Sequence, residues 1–101
     1  MDKRYKNISA SEQLDLRREA SESVISHPEW SLPQAIRHMR RTMRLTKAEM
    51  AKLSGVSHRP LQDIEQERSE GSVQTMNRIF GVLGLRLGVC RIIAPPLDGD
   101  S

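Results

Sequence analysis

Serine or threonine stands ahead of five separate stretches whose apolar residues recur at helical spacing, and no other feature constrains the fold more. Ser9-Ala10-Ser11-Glu12 has the spacing at which a hydroxyl and a carboxylate each satisfy the other residue's backbone N–H at a helix start. It predicts a helix to about Ile25, with Leu16, Ala20 and Val24 as a thin apolar stripe and Leu14 and Ile25 off to its sides. His27-Pro28 ends it, because the residue before proline is pushed out of the α region. A second helix starts near Pro33, capped by Ser31 or Leu32, and sets Ile36, Met39, Arg40 and Met43 on one face. Thr46-Lys47-Ala48-Glu49 repeats the capping spacing, and Met50, Ala51 and Leu53 follow as an apolar face. Ser57 heads a fourth helix, with Pro60 in its first turn and Leu61 and Ile64 inward. The loop from Gln66 to Gly71 is polar. Ser72 then heads a fifth helix carrying Val73, Met76, Ile79, Phe80 and Leu83, with Gly84 as its closing glycine.

Beyond Gly84 the period changes to two. Leu85, Leu87, Val89, Arg91 and Ile93 alternate with Arg86, Gly88, Cys90 and Ile92, which predicts a strand, and Pro95-Pro96 prevents its continuation. The expected organisation is an N-terminal arm and helix at 1–31, a helical domain at 32–84, a strand at 85–93 and a disordered tail at 94–101.

Composition narrows the class. The chain has 101 residues, enough for one small core, and aromatics make up only 3% of it. An aliphatic and methionine core suits small packed helices better than a sandwich or barrel. A single cysteine excludes an internal disulfide framework and any multi-cysteine zinc site, so no metal or other cofactor is expected. His27, His38, His58 and Cys90 show no metal-ligand spacing, and no catalytic motif is present, so the expectation is not an enzyme. No apolar run reaches the length of a membrane span, and the first residues lack the apolar run of a secretory signal. A cytoplasmic protein is expected. The formal net charge is +3, and the positive surplus sits in residues 33–84, which points to a polyanionic partner.

That surplus surrounds one motif. The helices predicted at Thr46–Leu53 and Ser57–Glu65 are joined by Ser54-Gly55-Val56, a three-residue turn holding glycine, which is the helix-turn-helix pattern. Ala51 must be small where the helices cross, Gly55 must turn, and Met50, Val56, Leu61 and Ile64 must be apolar to pin the second helix.

The stretch from Ile36 to Leu85 resembles the Cro/repressor-type helix-turn-helix family, also called Xre. The matching positions are Ile36, Arg40, Leu45, Thr46, Glu49, Ala51, Gly55, Val56, Ser57, Ile64, Glu65, Ser72, Thr75, Ile79, Leu83, Gly84 and Leu85. Lys47, Pro60, Leu61, Glu67 and Gly71 depart from the family pattern; Glu67 stands where the family has glycine. The resemblance implies an all-α fold: a five-helix Cro/repressor-like helix-turn-helix domain with an extra N-terminal helix and a short C-terminal β-strand pairing across a dimer.

Residue by residue, the resemblance implies a buried ion pair between Arg40 and Glu65. It places Lys47 and Ser57 at DNA phosphates, where helix N-termini offer free N–H groups. It adds Arg44, at the DNA-facing end of its helix, and Arg68, in the loop after the recognition helix. On the outward face of that helix lie His58, Arg59, Gln62 and Asp63. Arg59 can pair with guanine and Gln62 can read adenine; Asp63 can accept from cytosine or restrain Arg59. Arg37 and Arg41 are expected on a solvated face.

The end Leu83-Gly84-Leu85-Arg86-Leu87-Gly88-Val89 is similar to that of HipB-type antitoxins, in which such a strand joins two subunits. Leu85, Leu87 and Val89 are therefore expected at a homodimer interface. The implied function is a bacterial, cytoplasmic, sequence-specific repressor of double-stranded DNA at an inverted-repeat operator, nucleoid-associated when bound. Its class is the autoregulating antitoxin of a toxin–antitoxin operon, with a HipA-type kinase or other toxin as partner and no membrane. The alternatives are a stand-alone phage-type or metabolic Xre regulator, or a protein-interaction module that has lost DNA binding, for which Asp63, Glu67 and Glu70 near the DNA face speak.

Overall fold

A computed structural model describes residues 8–92 of the chain. They form five helices: α1 (Ala10–Ser26), α2 (Leu32–Thr42), α3 (Lys47–Ser54), α4 (His58–Glu65) and α5 (Val73–Gly81). The described fold is all-α, and none of these helices is long and apolar enough to cross a membrane.

The starts follow from local chemistry. Ser9 with Glu12, Ser31 with Gln34 and Thr46 with Glu49 form complete reciprocal caps on α1, α2 and α3. At α5 the Thr75 N–H donates to the Ser72 hydroxyl at 3.0 Å. Each such cap contributes about 1 kcal/mol.

Three helix ends share one device. The amides of Leu45, Arg68 and Leu85 donate back across the last turn to the carbonyls of Arg40, Asp63 and Phe80, at 3.0, 2.8 and 3.0 Å. In each case the preceding residue is left-handed: Arg44 at φ 58°, Glu67 at φ 61° and Gly84 at φ 75°. Glycine adopts this conformation freely, whereas Arg44 and Glu67 hold a Cβ there at a cost of about 1–2 kcal/mol each.

The core is built around α2. Ile36 and Met39 of α2, Met50 of α3, Leu61 and Ile64 of α4 and Ile79 of α5 are the largest fully buried side chains. Ala35, Val56, Met76, Phe80 and Leu83 complete it, and Trp30, Met43, Leu45 and Ala51 pack around it half-buried. At about 25 cal/mol per Å² of apolar surface, each fully buried aliphatic side chain contributes roughly 1.5–3 kcal/mol. The N-terminal helix α1 lies against α2 and contributes one fully buried residue, Ala20. Its other apolar side chains are only partly covered.

Several expectations change here. The strand expected at 85–93 does not form among the described residues: residues 85–92 run as irregular chain. Alternation selects which side chains turn inward, but a strand also needs a neighbour to bond, and one copy of the chain supplies none. Leu85 and Leu87 instead pack on their own core, and the Leu87 N–H donates to Asn77 Oδ1 at 2.8 Å. Val89 is fully and Ile92 largely exposed. Leu53 and Val73, expected inward, are mostly exposed: Leu53 lies in the last turn of α3 and Val73 is the first residue of α5, beyond the turns that pack on the core. Ile93, the expected tail at 94–101 and residues 1–7 lie outside the described residues.

Candidate nucleic-acid interface

α3 and α4 pack on each other across a tight turn. Gly55 ends α3 at φ 76°, and its N–H donates to the Ala51 carbonyl at 2.9 Å. A Cβ at Gly55 would meet no atom within 4 Å, so glycine is required by the backbone conformation and not by crowding. Ser54 is buried in the turn, where its hydroxyl accepts from the Val56 N–H at 3.2 Å. Val56 is then buried and anchors the start of α4.

The inward side of α4 is Leu61, Ile64 and Glu65, all buried. Glu65 meets Arg40 of α2 in a two-pronged ion pair, Nε to Oε2 at 2.8 Å and Nη2 to Oε1 at 3.1 Å. The third prong of Arg40 donates to the Leu45 carbonyl at 3.2 Å. One guanidinium therefore ties the end of α4 to the end of α2. Arg37, one helical turn earlier, donates to the Glu65 backbone carbonyl and stands 3.6 Å from the Glu67 carboxylate. The expected solvated position for Arg37 is corrected by this contact; its side chain is half-buried. Arg41 is exposed.

The outward side of α4 carries His58, Arg59, Gln62 and Asp63. His58 and Arg59 are exposed in the first turn, and Gln62 and Asp63 are half-exposed one turn later. Asp63 lies between two cations. Its Oδ1 accepts from Arg68 Nη2 at 3.1 Å and Nε at 3.3 Å, and its Oδ2 stands 4.0 Å from Arg59 Nε. The carboxylate thus fixes Arg68 on the loop and draws Arg59 along the helix surface. Ser57 occupies the N-cap position of α4, yet its hydroxyl makes no capping bond. Lys47 is the first residue of α3 and is half-buried; Arg44 is exposed at the end of α2.

Gly71 closes the site from behind. Its φ of 74° requires glycine, and a Cβ there would come within 2.8 Å of Ile64 Cδ1, the end of a side chain that could shift aside. The partners of Arg37, 28 and 30 residues away, leave no sign in the sequence beyond its position three residues before Arg40. Asn77 likewise looks like an ordinary polar position on α5.

The chain matches no known family model, and neither the curated proteins nor the solved structures gave a match.

Proposed function

We propose that this chain is a sequence-specific DNA-binding repressor of the Xre type that uses α3 and α4 as its helix-turn-helix and acts as a homodimer. The observation that carries the reading is α4 itself. It is bolted to the core through Leu61, Ile64 and the Arg40–Glu65 pair, while its first turn presents His58 and Arg59 to solvent. A protruding helix held at a fixed angle by buried groups is what insertion into a major groove requires. Arg44, Lys47, Ser57 and Arg68 then supply contacts to phosphates, and Arg59 and Gln62 supply base contacts. Asp63 acts mainly through Arg59 and Arg68, because both its oxygens already face guanidinium groups.

The second half of the reading is assembly. Val89 and Ile92 stand exposed after Leu87, and pairing of this segment with the same segment of a second copy is the assembly that would shield apolar surface there. A dimer would set two α4 helices about 34 Å apart, on successive major grooves of an inverted repeat. An antitoxin in its own operon, partnered by a HipA-type kinase or other toxin, is the biological role we assign; a stand-alone Xre regulator is the alternative. The test is selection of binding sites from random duplexes, followed by titration of the selected site at two salt concentrations. An inverted-repeat consensus with steeply salt-dependent affinity supports the reading. Enrichment of no sequence, with binding to a protein partner in its place, favours the interaction module.

A further inference from the structure

A groove of about 540 Å³ lies between the start of α2 and the loop that leads from α4 into α5. Leu32, Val73 and Leu87 give it apolar walls over the buried Met76, and Val73 is 65% exposed. Glu67 and Glu70 line it as well. Glu67 stands 3.6 Å from Arg37, whereas Glu70 has no basic partner among the described residues. An occupant of matching chemistry carries an aliphatic side chain with a cation close by.

The segment after Leu87 has that chemistry, yet it does not enter the groove of its own chain. Leu87 lines the groove, and its N–H is fixed to Asn77 Oδ1 at 2.8 Å. Residues 88–92 are all exposed, and none of them lines the groove. Side chains alternate along extended chain, so Val89 and Arg91 fall on one face of this segment. Val89 is uncovered, and Arg91 has no acidic partner among the described residues. Pairing with the same segment of a second copy would satisfy backbone groups, but two strands alone are marginal in water. Val89 and Arg91 therefore need a surface to lie on.

Each copy thus holds an apolar and acidic seat and an apolar and basic segment, and the two adjoin at Leu87. A two-fold axis close to Leu87 lets each copy supply what the other lacks, and the assembly closes at two. The five residues from Gly88 to Ile92 span up to about 17 Å when extended, which carries Val89 and Arg91 clear of their own Leu87 and onto the neighbouring copy.

We infer that the segment Gly88–Ile92 seats in the groove between α2 and α5 of a second copy of this chain, with Val89 against Val73 and Leu32 and Arg91 against Glu70, each copy giving and receiving one segment. The inference rests on the homodimer half of the proposed function and names the surface that holds the dimer together.

The test uses the full chain and two variants, Glu70→Arg and Arg91→Glu, each alone and mixed in equal amounts, with the dimer dissociation constant measured by sedimentation. Both positions are exposed, so the circular dichroism of each variant should match that of the parent. Each variant alone sets like charges against each other and is expected to dimerise about tenfold more weakly. The mixture is expected to recover the parental affinity, because in a mixed dimer both grooves again face a segment of opposite charge. A segment folded onto its own groove gives no such recovery. Weakening of both variants without recovery on mixing overturns the exchange between copies. Parental dimerisation by both variants overturns the seat and leaves the homodimer reading standing. A parent chain that stays monomeric at the highest concentrations removes the homodimer reading and the seat together.

Discussion

The two ends of α4 are built on opposite plans. Its last turn is held from three directions: Arg40 on the Glu65 carboxylate, Arg37 on the Glu65 carbonyl, and Arg68 folded back onto Asp63. Its first turn is anchored by the apolar Val56 and Leu61, with a Ser57 hydroxyl that makes no capping bond and an Arg59 side chain that is 88% exposed. A helix fixed at one end and open at the other can present unsatisfied N–H groups to a ligand without losing its orientation. In the proposed function the closed end contributes stability and angle, and the open end contributes recognition.

The largest expected effect tests the closed end. Glu65→Ala leaves Arg40 facing the interior without its partner and should destabilise the fold by about 3–5 kcal/mol, measured by urea denaturation. A loss below about 1 kcal/mol would mean that water reaches the pair and that the clamp is not rigid. At the open end, Arg59→Ala should leave the urea midpoint unchanged and remove about 1–3 kcal/mol of preference for a selected site over random DNA. If discrimination survives intact, Arg59 does not read bases.

A finer comparison sets two N-caps side by side. Thr46→Ala removes a formed cap and should cost about 1 kcal/mol, whereas Ser57→Ala removes a hydroxyl with no capping bond and should cost far less. Equal losses would show that Ser57 caps α4 in solution. The smallest effect falls on Glu67. Glu67→Gly relieves a left-handed Cβ and gives up a 3.6 Å contact with Arg37, so a net gain of about 0.5–1 kcal/mol is expected. A net loss would show that Arg37 needs Glu67 more than the backbone needs glycine.

What could be read from sequence and what could not divide by distance along the chain. Ser9, Thr46 and Ser72 announce their helices because a cap and its amide lie three residues apart. Gly55 and Gly84 mark turns for the same local reason. The inward residues Ile36, Met39, Met50, Leu61, Ile64 and Ile79 follow from helical period, and all are buried. Arg37 was unreadable because its partners enter only after the chain has folded back. The segment at Leu85 shows the converse limit: its alternation assigns Leu85, Leu87 and Val89 to one interface, whereas Leu85 and Leu87 pack on their own core and Val89 is exposed, and whether those residues become a strand depends on a neighbour the sequence does not name. The left-handed Glu67 is visible in the sequence only as a departure from the glycine of the pattern the stretch resembles. The difference between the open and the clamped end of α4 is not legible in the sequence, since Arg59 and Arg68 look alike as exposed charges until their distances to Asp63 are known.

Trp30 is the chain's single tryptophan, stacked flat on His27 at 4.1 Å and tilted against His38 at 4.6 Å. It sits where α1, α2 and the segment at Leu85–Leu87 meet, far in sequence from α3 and α4, which hold no tryptophan, tyrosine or phenylalanine. Its ultraviolet emission is therefore a built-in meter for that joint alone. A change in emission when DNA is added would report that the proposed DNA-contacting helix α4 and this joint move together, and a silent tryptophan would mean that they move independently.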